Sequence, residues 1–366
     1  MVTLRVPITE HRDASHDIVI GRGALAELPA LLERHCAAAR YAVITDSHVQ
    51  ELIAPRVVGL LRDADIAAQT FAFPAGERYK TRETWADVSD QMLARQMGRD
   101  TAVVALGGGV VGDVAGFVAA TYLRGIPYVQ VPTTLLAMID SSIGGKTGVD
   151  VPTGKNLLGA FHQPRLVVAD LDTLGTLPAA QLVAGLAEAV KHGVIADVEY
   201  FEFLERQYGP ILKRDTAALE RVVQRSVEIK AAVVAEDERE AGRRAVLNFG
   251  HTVAHAIEAT CKFEVLHGEA VAIGMACETR LAETLGVATP GTSARVRSAL
   301  ERYRLPLAVP DAASVDALVQ AMRGDKKARA GAIRFALPER VGAMHRDARG
   351  SWTVAVEEDG IRAALA

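Results

Sequence analysis

Apolar and polar positions follow two rhythms over residues 1–176. Short runs at 41–45, 70–73, 101–106, 128–131 and 166–169 are mostly apolar and rich in β-branched residues, which predicts strands buried on both faces. Between them, 49–61, 81–97 and 110–123 repeat apolar residues every three to four positions, the period of a helix with one buried face. Strands alternating with helices predict βαβ units around a parallel sheet. Beyond Leu177-Pro178 the strand rhythm stops, and long helical stretches follow at 178–195, 215–236, 249–259 and 266–285. A strand at 332–337 is expected to form a hairpin with residues near 343–346. The pattern thus predicts an α/β chain of two domains, a Rossmann-like nucleotide-binding half over 1–176 and a mainly α-helical half over 177–366.

Composition narrows the function classes. The chain has 366 residues and a net charge of −4, which argues against a general nucleic-acid binder. Cys36, Cys261 and Cys277 form no CxxC pattern, so neither a disulfide framework nor a thiolate zinc site is expected, and a reducing cytoplasm fits. No secretory signal is expected from Met1-Val-Thr-Leu-Arg-Val-Pro-Ile. The apolar stretch 101–123 contains Asp113 and five glycines, which reads as strand, turn and helix rather than a membrane span.

Within that stretch, Gly107-x-Gly109-x-x-Gly112 follows a strand and opens a helix. Glycines there let backbone amides approach a pyrophosphate at a positive helix end. By itself the spacing fits tight strand-to-helix packing equally well. The acid that the usual dinucleotide fold places about 20 residues later is absent at Val131-Pro132. Asp46, ending another strand, can take that ribose role, which predicts a strand order different from the common one. Gly76-Glu-Arg-Tyr-Lys80 is a polar turn that can complete the adenosine side.

Two further loops, 140–148 and 154–156, are rich in glycine and lysine without the P-loop spacing, so nucleotide hydrolysis is not expected. With Arg124, Lys191, Lys230, Arg244, Lys326 and Lys327 they supply cations in a net acidic chain, which suits a small phosphorylated, carboxylated substrate. The segment Leu247-Asn-Phe-Gly-His-Thr252 begins a histidine-rich helix. His251 and His255, four residues apart, share a helix face and form a candidate metal grip, with His267 nearby. Glu188 lies one turn before Lys191; the pair reads as a surface ion pair or, if Glu188 joins two histidines, as part of a zinc site open to substrate oxygens.

Taken together, these motifs resemble the 3-dehydroquinate synthase family of sugar phosphate cyclases from about residue 43 to 338. They include Ala105-Leu-Gly-Gly-Gly-Val-Val-Gly-Asp113, Tyr122-Leu-Arg-Gly125, Val131-Pro-Thr-Thr-Leu-Leu136, Asp140-Ser-Ser-Ile-Gly-Gly-Lys146, Gly154-Lys-Asn156, Gly185-Leu-Ala-Glu188, Leu266-His-Gly-Glu269 and Asp325-Lys-Lys327. The resemblance implies a homodimeric enzyme using NAD and Zn2+, or Co2+, to convert 3-deoxy-D-arabino-heptulosonate 7-phosphate to 3-dehydroquinate and phosphate in the shikimate pathway. It implies Glu188, His251 and His267 as metal ligands and moves His255 to the substrate side. Asp140, Lys146, Asn156, Lys191, Lys230, Arg244, Asn248 and Lys326 would surround the substrate, with Arg124 reaching the phosphate in cis or from a second subunit. Asp46, Glu77, Lys80, Gly108, Gly109, Val110, Asp113, Thr133, Thr134, Lys146 and Lys155 would line the cofactor.

Departures from the family pattern are small: Val253-Ala254 for Phe-Gly, His192 for a frequent Tyr, Gly324 for Arg, and His48 for Asn. Two same-fold rivals remain, a cyclase acting on another sugar phosphate and a metal-dependent polyol dehydrogenase. The retained Asn248, Arg244 and His255 favour the carboxylated substrate, because such a substrate needs a cationic, hydrogen-bonding wall.

Overall fold

The computed structural model describes residues 13–152, 154–262, 264–324 and 332–365. A six-stranded sheet is built from β1 (Asp17–Gly21), β2 (Arg40–Asp46), β3 (Ala68–Phe73), β4 (Thr101–Gly107), β5 (Tyr128–Pro132) and, after a hairpin, β8 (Leu166–Asp170). Every pairing in it is parallel, in the order β1-β8-β5-β4-β2-β3. The order reverses between β2 and β4, which opens a crevice at their carboxyl ends, where open α/β sheets bind ligands. Asp46 and the glycine loop flank that crevice, in line with the unusual strand order expected from the sequence. β1 was not anticipated; only half-buried along its length, it lacks the continuous apolar run that marks the others.

Alternate residues of each strand feed two cores. Ala102, Val104 and Leu106 of β4 join Val43 of β2 on the face covered by α1 (Leu28–His35) and by α2 (Ser47–Leu52) with α3 (Ala54–Asp63). Val103 and Ala105 join Ile44 on the face covered by α4 (Arg82–Ala94) and α5 (Gly109–Thr121). The single helix expected at 49–61 is two helices. The Ile53 amide closes α2 on Val49 O at 2.9 Å, and Pro55, in the first turn of α3, has no N–H to carry the ladder onward.

The lysine-bearing segments expected as loops are an antiparallel hairpin, β6 (Lys146–Val151) with β7 (Gly154–Phe161). Their glycines serve close strand approach: a Cβ on Gly148 would lie 2.5 Å from Leu158 O, and one on Gly159 would lie 2.2 Å from Thr147 O.

The rest of the described chain is mainly helical. It comprises α6 (Ala179–Ala196), α7 (Val198–Leu212), α8 (Thr216–Glu236), α9 (His251–Thr260), α10 (His267–Thr284), α11 (Thr292–Arg302), α12 (Val315–Gly324) and α13 (Glu358–Leu365). Strands β9 (Ile333–Phe335), β10 (Pro338–Arg340), β11 (Ala343–Met344) and β12 (Val354–Val356) close the order. The late hairpin expected from 332–337 to 343–346 is corrected here: β9 pairs with β12, and β10 pairs with β11.

Helix α6 is buried from Ala184 to Ile195 and forms the axis of this half. Two glycines let α10 reach its neighbours. A Cβ on Gly268 would lie 1.8 Å from Ala184 O of α6, and one on Gly274 would lie 1.9 Å from Gly250 O, just before α9. These contacts bring the first residues of α9 and α10 to the middle of α6. No described helix is long and apolar enough to cross a membrane.

Candidate active site and metal centre

Three helices meet on one carboxylate. Glu188 of α6 is fully buried; its Oε1 lies 3.3 Å from His251 Nε2 and 3.4 Å from His267 Nε2. The ligand atoms of all three residues fall within 4.8 Å of one another. His255 is outside this group. Its ring stands edge-on to His251 at 5.6 Å, so the pairing of His251 with His255 read from helical spacing gives way to convergence with His267 from another helix. Both histidines turn Nδ1 away from the centre, His251 toward Phe249 O at 3.1 Å and His267 toward Glu258 Oε1 at 3.2 Å. Such bonds hold the proton on Nδ1 and present the Nε2 lone pair.

The group suits a divalent ion. Two imidazoles and one carboxylate are a zinc-type donor set with room for substrate oxygens. Both oxygens of Glu188 are buried without a hydrogen bond of proper geometry, although Lys191 Nζ is 2.5 Å from Oε2. That ion pair is 1% exposed on the lysine side, so it is not the surface pair that its spacing also allowed. Burial opposes ionisation of Glu188, but Lys191 and His251 outweigh it and hold the carboxyl well below its usual range. Burial lowers the pKa of His251, whereas at His267 Glu258 and Glu188 overcome burial and push it up to about 10. A cation at the shared centre takes the place of that proton.

Asp140 lies in a single π-type turn, Ala137–Ser141, a feature frequent at functional sites. Its Oδ1 is 2.7 Å from Lys230 Nζ and 3.7 Å from Lys191 Nζ. Burial, reinforced by the neighbouring Lys191 charge, pushes Lys230 down to about 8. His192 Nε2 stands 3.9 Å from Asp140, both its ring nitrogens lack a hydrogen-bond partner among the described residues, and burial lowers it to about 3, so it is neutral. Asp140, Glu188 and His192 form a second group of metal-ligand type. Lys191 borders both groups, but Lys230 adds a second ammonium 2.7 Å from Asp140, which leaves the Glu188–His251–His267 group as the better metal site.

Among the residues expected to meet substrate, Arg244 is 2% exposed and donates to Gly144 O at 3.1 Å and to Glu238 O, while its Nε is buried without an acceptor among the described residues. Glu240, to which the sequence reading gave no role, bridges two expected substrate residues: Lys146 donates to it, and Asn248 Nδ2 donates to its Oε1 at 2.6 Å. Sitting in the charged run Glu236-Asp-Glu-Arg-Glu240, it carried only the signal of a solvated surface. Asn156 adopts φ 52° and donates its backbone N–H to Asp150 Oδ1 at 2.8 Å. Arg124, exposed at φ 72°, lines a separate 320 Å³ cavity with Asp13, Ser15, His162, Gln163 and Arg165. Lys326 lies outside the described residues.

Several residues expected on the cofactor side stand at the strand ends that form the sheet crevice. Gly108 caps α5 with Gly109 and Val110 in its first turn, and a Cβ on Gly108 would press on Thr134 at 3.1 Å. Thr133 is buried, its amide bonded to Gly107 O at 2.9 Å. Asp46 accepts from the amides of His48 and Val49 and so caps α2. Lys80 is buried in an ion pair with Asp113 at 2.6 Å; burial opposes its charge, but Asp113 and Glu77 raise its pKa. Lys155 Nζ stands between Glu77 at 2.8 Å and Glu258 at 3.0 Å, joining the crevice to α9.

Comparison with known proteins identifies the family. Residues 70–184 match the family model for the 3-dehydroquinate synthase N-terminal region, and residues 185–328 match that for the C-terminal region. The 3-dehydroquinate synthase of Symbiobacterium thermophilum is 51% identical over 331 residues, spanning 90% of this chain and 92% of that protein. That of Caulobacter vibrioides is 48% identical over 363 residues, spanning 96% and 95%. Among solved structures, 2-epi-5-epi-valiolone synthase from Streptomyces hygroscopicus subsp. jinggangensis 5008, with NAD+ and Zn2+ bound, has a TM-score of 0.89 at 31% identity and covers 98% of each chain.

Proposed function

The chain belongs to the 3-dehydroquinate synthase family, and from that premise we propose that its cleft converts 3-deoxy-D-arabino-heptulosonate 7-phosphate to 3-dehydroquinate and phosphate. The observation that carries the reading is the joining of one buried His-His-carboxylate centre to Glu77 at the sheet-end crevice through Lys155 and Glu258. Glu188, His251 and His267 would hold Zn2+ or Co2+. Asp46, Glu77, Lys80, Gly108, Gly109, Val110, Asp113, Thr133, Thr134, Lys146 and Lys155 would line NAD. When bound, the metal would polarise substrate hydroxyls and the nicotinamide would take up and return one hydride.

The chain's own contribution is orientation and charge. Lys191 and Lys230, fixed by Asp140, present ammonium groups to a substrate that gains negative charge as its hydroxyl protons leave. Arg244, with its unpartnered Nε, together with Lys146 and Asn248 forms the wall for the substrate's carboxylate and phosphate, displacing Glu240 from Lys146 and Asn248. His255, beside His251, is placed to exchange a proton with a substrate hydroxyl. Asn156 and Lys326 complete the substrate shell in this reading, and Arg124 serves the phosphate from its own or a partner subunit of a cytoplasmic homodimer. Residues 1–176 then serve the cofactor, and residues 177–366 the metal and most of the substrate.

Substrate choice tests this function against the same-fold rivals. Offered the heptulosonate phosphate and an equivalent ketose phosphate lacking the carboxylate, the protein is expected to favour the first by at least about 100-fold in kcat/KM, because loss of the carboxylate strands buried cationic donors. Equal use of both, followed by phosphate release, would point to another cyclase.

A further inference from the structure

The ring nitrogens of His267 face two different carboxylates. Nε2 faces Glu188, and Nδ1 meets Glu258 Oε1 at 3.2 Å. Glu258 is 1% exposed and sits on α9 two turns beyond His251, so one helix supplies both a donor to the centre and a support for the donor opposite. Nothing in the sequence reading gave it a role. A lone carboxylate at that depth would be costly. Here Lys155 Nζ lies 3.0 Å from the same Oε1 and is steadied in turn by Glu77 at 2.8 Å. Glu77, Lys155, Glu258, His267 and Glu188 thus form an unbroken series of contacts from the crevice to the metal centre.

We propose that Glu258 is a positioning residue of the metal centre: it fixes the ring plane and the Nδ1–H tautomer of His267, and Lys155 holds Glu258 in place. The proposal rests on reading Glu188, His251 and His267 as the ligands. Outer carboxylates of this kind keep a ligand imidazole oriented and raise its basicity, and their loss costs about 10–100-fold in metal affinity.

The test measures zinc binding to the full chain by calorimetry, and the visible absorption of its Co2+ form, in the unaltered protein and in Glu258→Gln, Glu258→Ala and Lys155→Met. Circular dichroism checks that each is folded. Glu258→Ala is expected to weaken zinc by about 10–100-fold and to shift the Co2+ bands, with Glu258→Gln intermediate because its amide oxygen still accepts from Nδ1–H. Lys155→Met is expected to change affinity in the same direction but less. If alanine prevents folding, glutamine, of the same shape, carries the test. Folded Glu258 variants with zinc affinity within about twofold of the unaltered protein would overturn the proposal alone. An unaltered protein that binds neither zinc nor cobalt would overturn the ligand reading and the proposal with it.

Discussion

Replacing His267 by alanine is expected to strip the metal and lower kcat/KM by about 10³–10⁴-fold, while His255→Ala keeps most of the metal. The metal centre has three protein donors on three elements, Glu188 on α6, His251 opening α9 and His267 opening α10. Neither of the other histidines nearby is placed to replace one: His255 packs edge-on against the His251 ring rather than facing Glu188, and His192 stands beside Asp140 and the ammonium groups of Lys191 and Lys230. Metal polarisation of substrate oxygens supplies several kcal/mol, and a loss of about 4–6 kcal/mol converts to that range of rate. Metal content after gel filtration, measured beside phosphate release, checks the result. Equal metal loss in the two variants would restore the ligand pair that helical spacing first suggested.

Asp140→Asn is expected to cost about 3–5 kcal/mol of stability, the range found when one partner of a buried ion pair is removed. Asp140 is the shared counter-charge for Lys230 at 2.7 Å and Lys191 at 3.7 Å, so the amide leaves two buried ammonium groups with half their compensation. Burial alone would raise the carboxyl's pKa, but Lys230 and Lys191 hold it well below the ordinary carboxylate range. A folded-state pKa below the unfolded value gives stability that is present above an unfolded pKa of about 4 and lost as the pH falls beneath it. The unaltered protein should therefore lose stability on acidification below about pH 4 more steeply than Asp140→Asn. Urea midpoints from neutral pH downward measure both effects. Parallel curves separated by less than about 0.5 kcal/mol would remove Asp140 from its role as the anchor of the lysines.

Much of the first half was legible in the sequence because β4, flanked by buried strands, is apolar from Ala102 to Leu106, and such a run leaves few alternatives to a central parallel strand. The glycine loop and Asp46 likewise pointed to a strand order different from the common one, which the sheet shows. The β6–β7 hairpin was not. Its glycines look like loop residues, and only the close approach of opposing backbone, which would set an added Cβ 2.2–2.5 Å from a carbonyl oxygen, explains them as strand positions. For the centre itself, i,i+4 spacing shows which histidines share a helix face but not which face meets α6. The partner was set by Gly268 and Gly274, which let α10 pack close enough to bring His267 in. Glu258 and Glu240 escaped notice because an acid's role is fixed by what it touches across the fold, and both touch residues distant in sequence or in a different element.

In the proposed reaction a hydride is borrowed from the substrate and returned within one turnover. Incubating the protein with the heptulosonate phosphate, zinc and NAD at far below substrate concentration, while following inorganic phosphate and NADH absorbance together, tests this directly. The account predicts many phosphates released per NAD with no net rise in NADH. NADH accumulating in step with substrate consumed, or no phosphate at all, would contradict it.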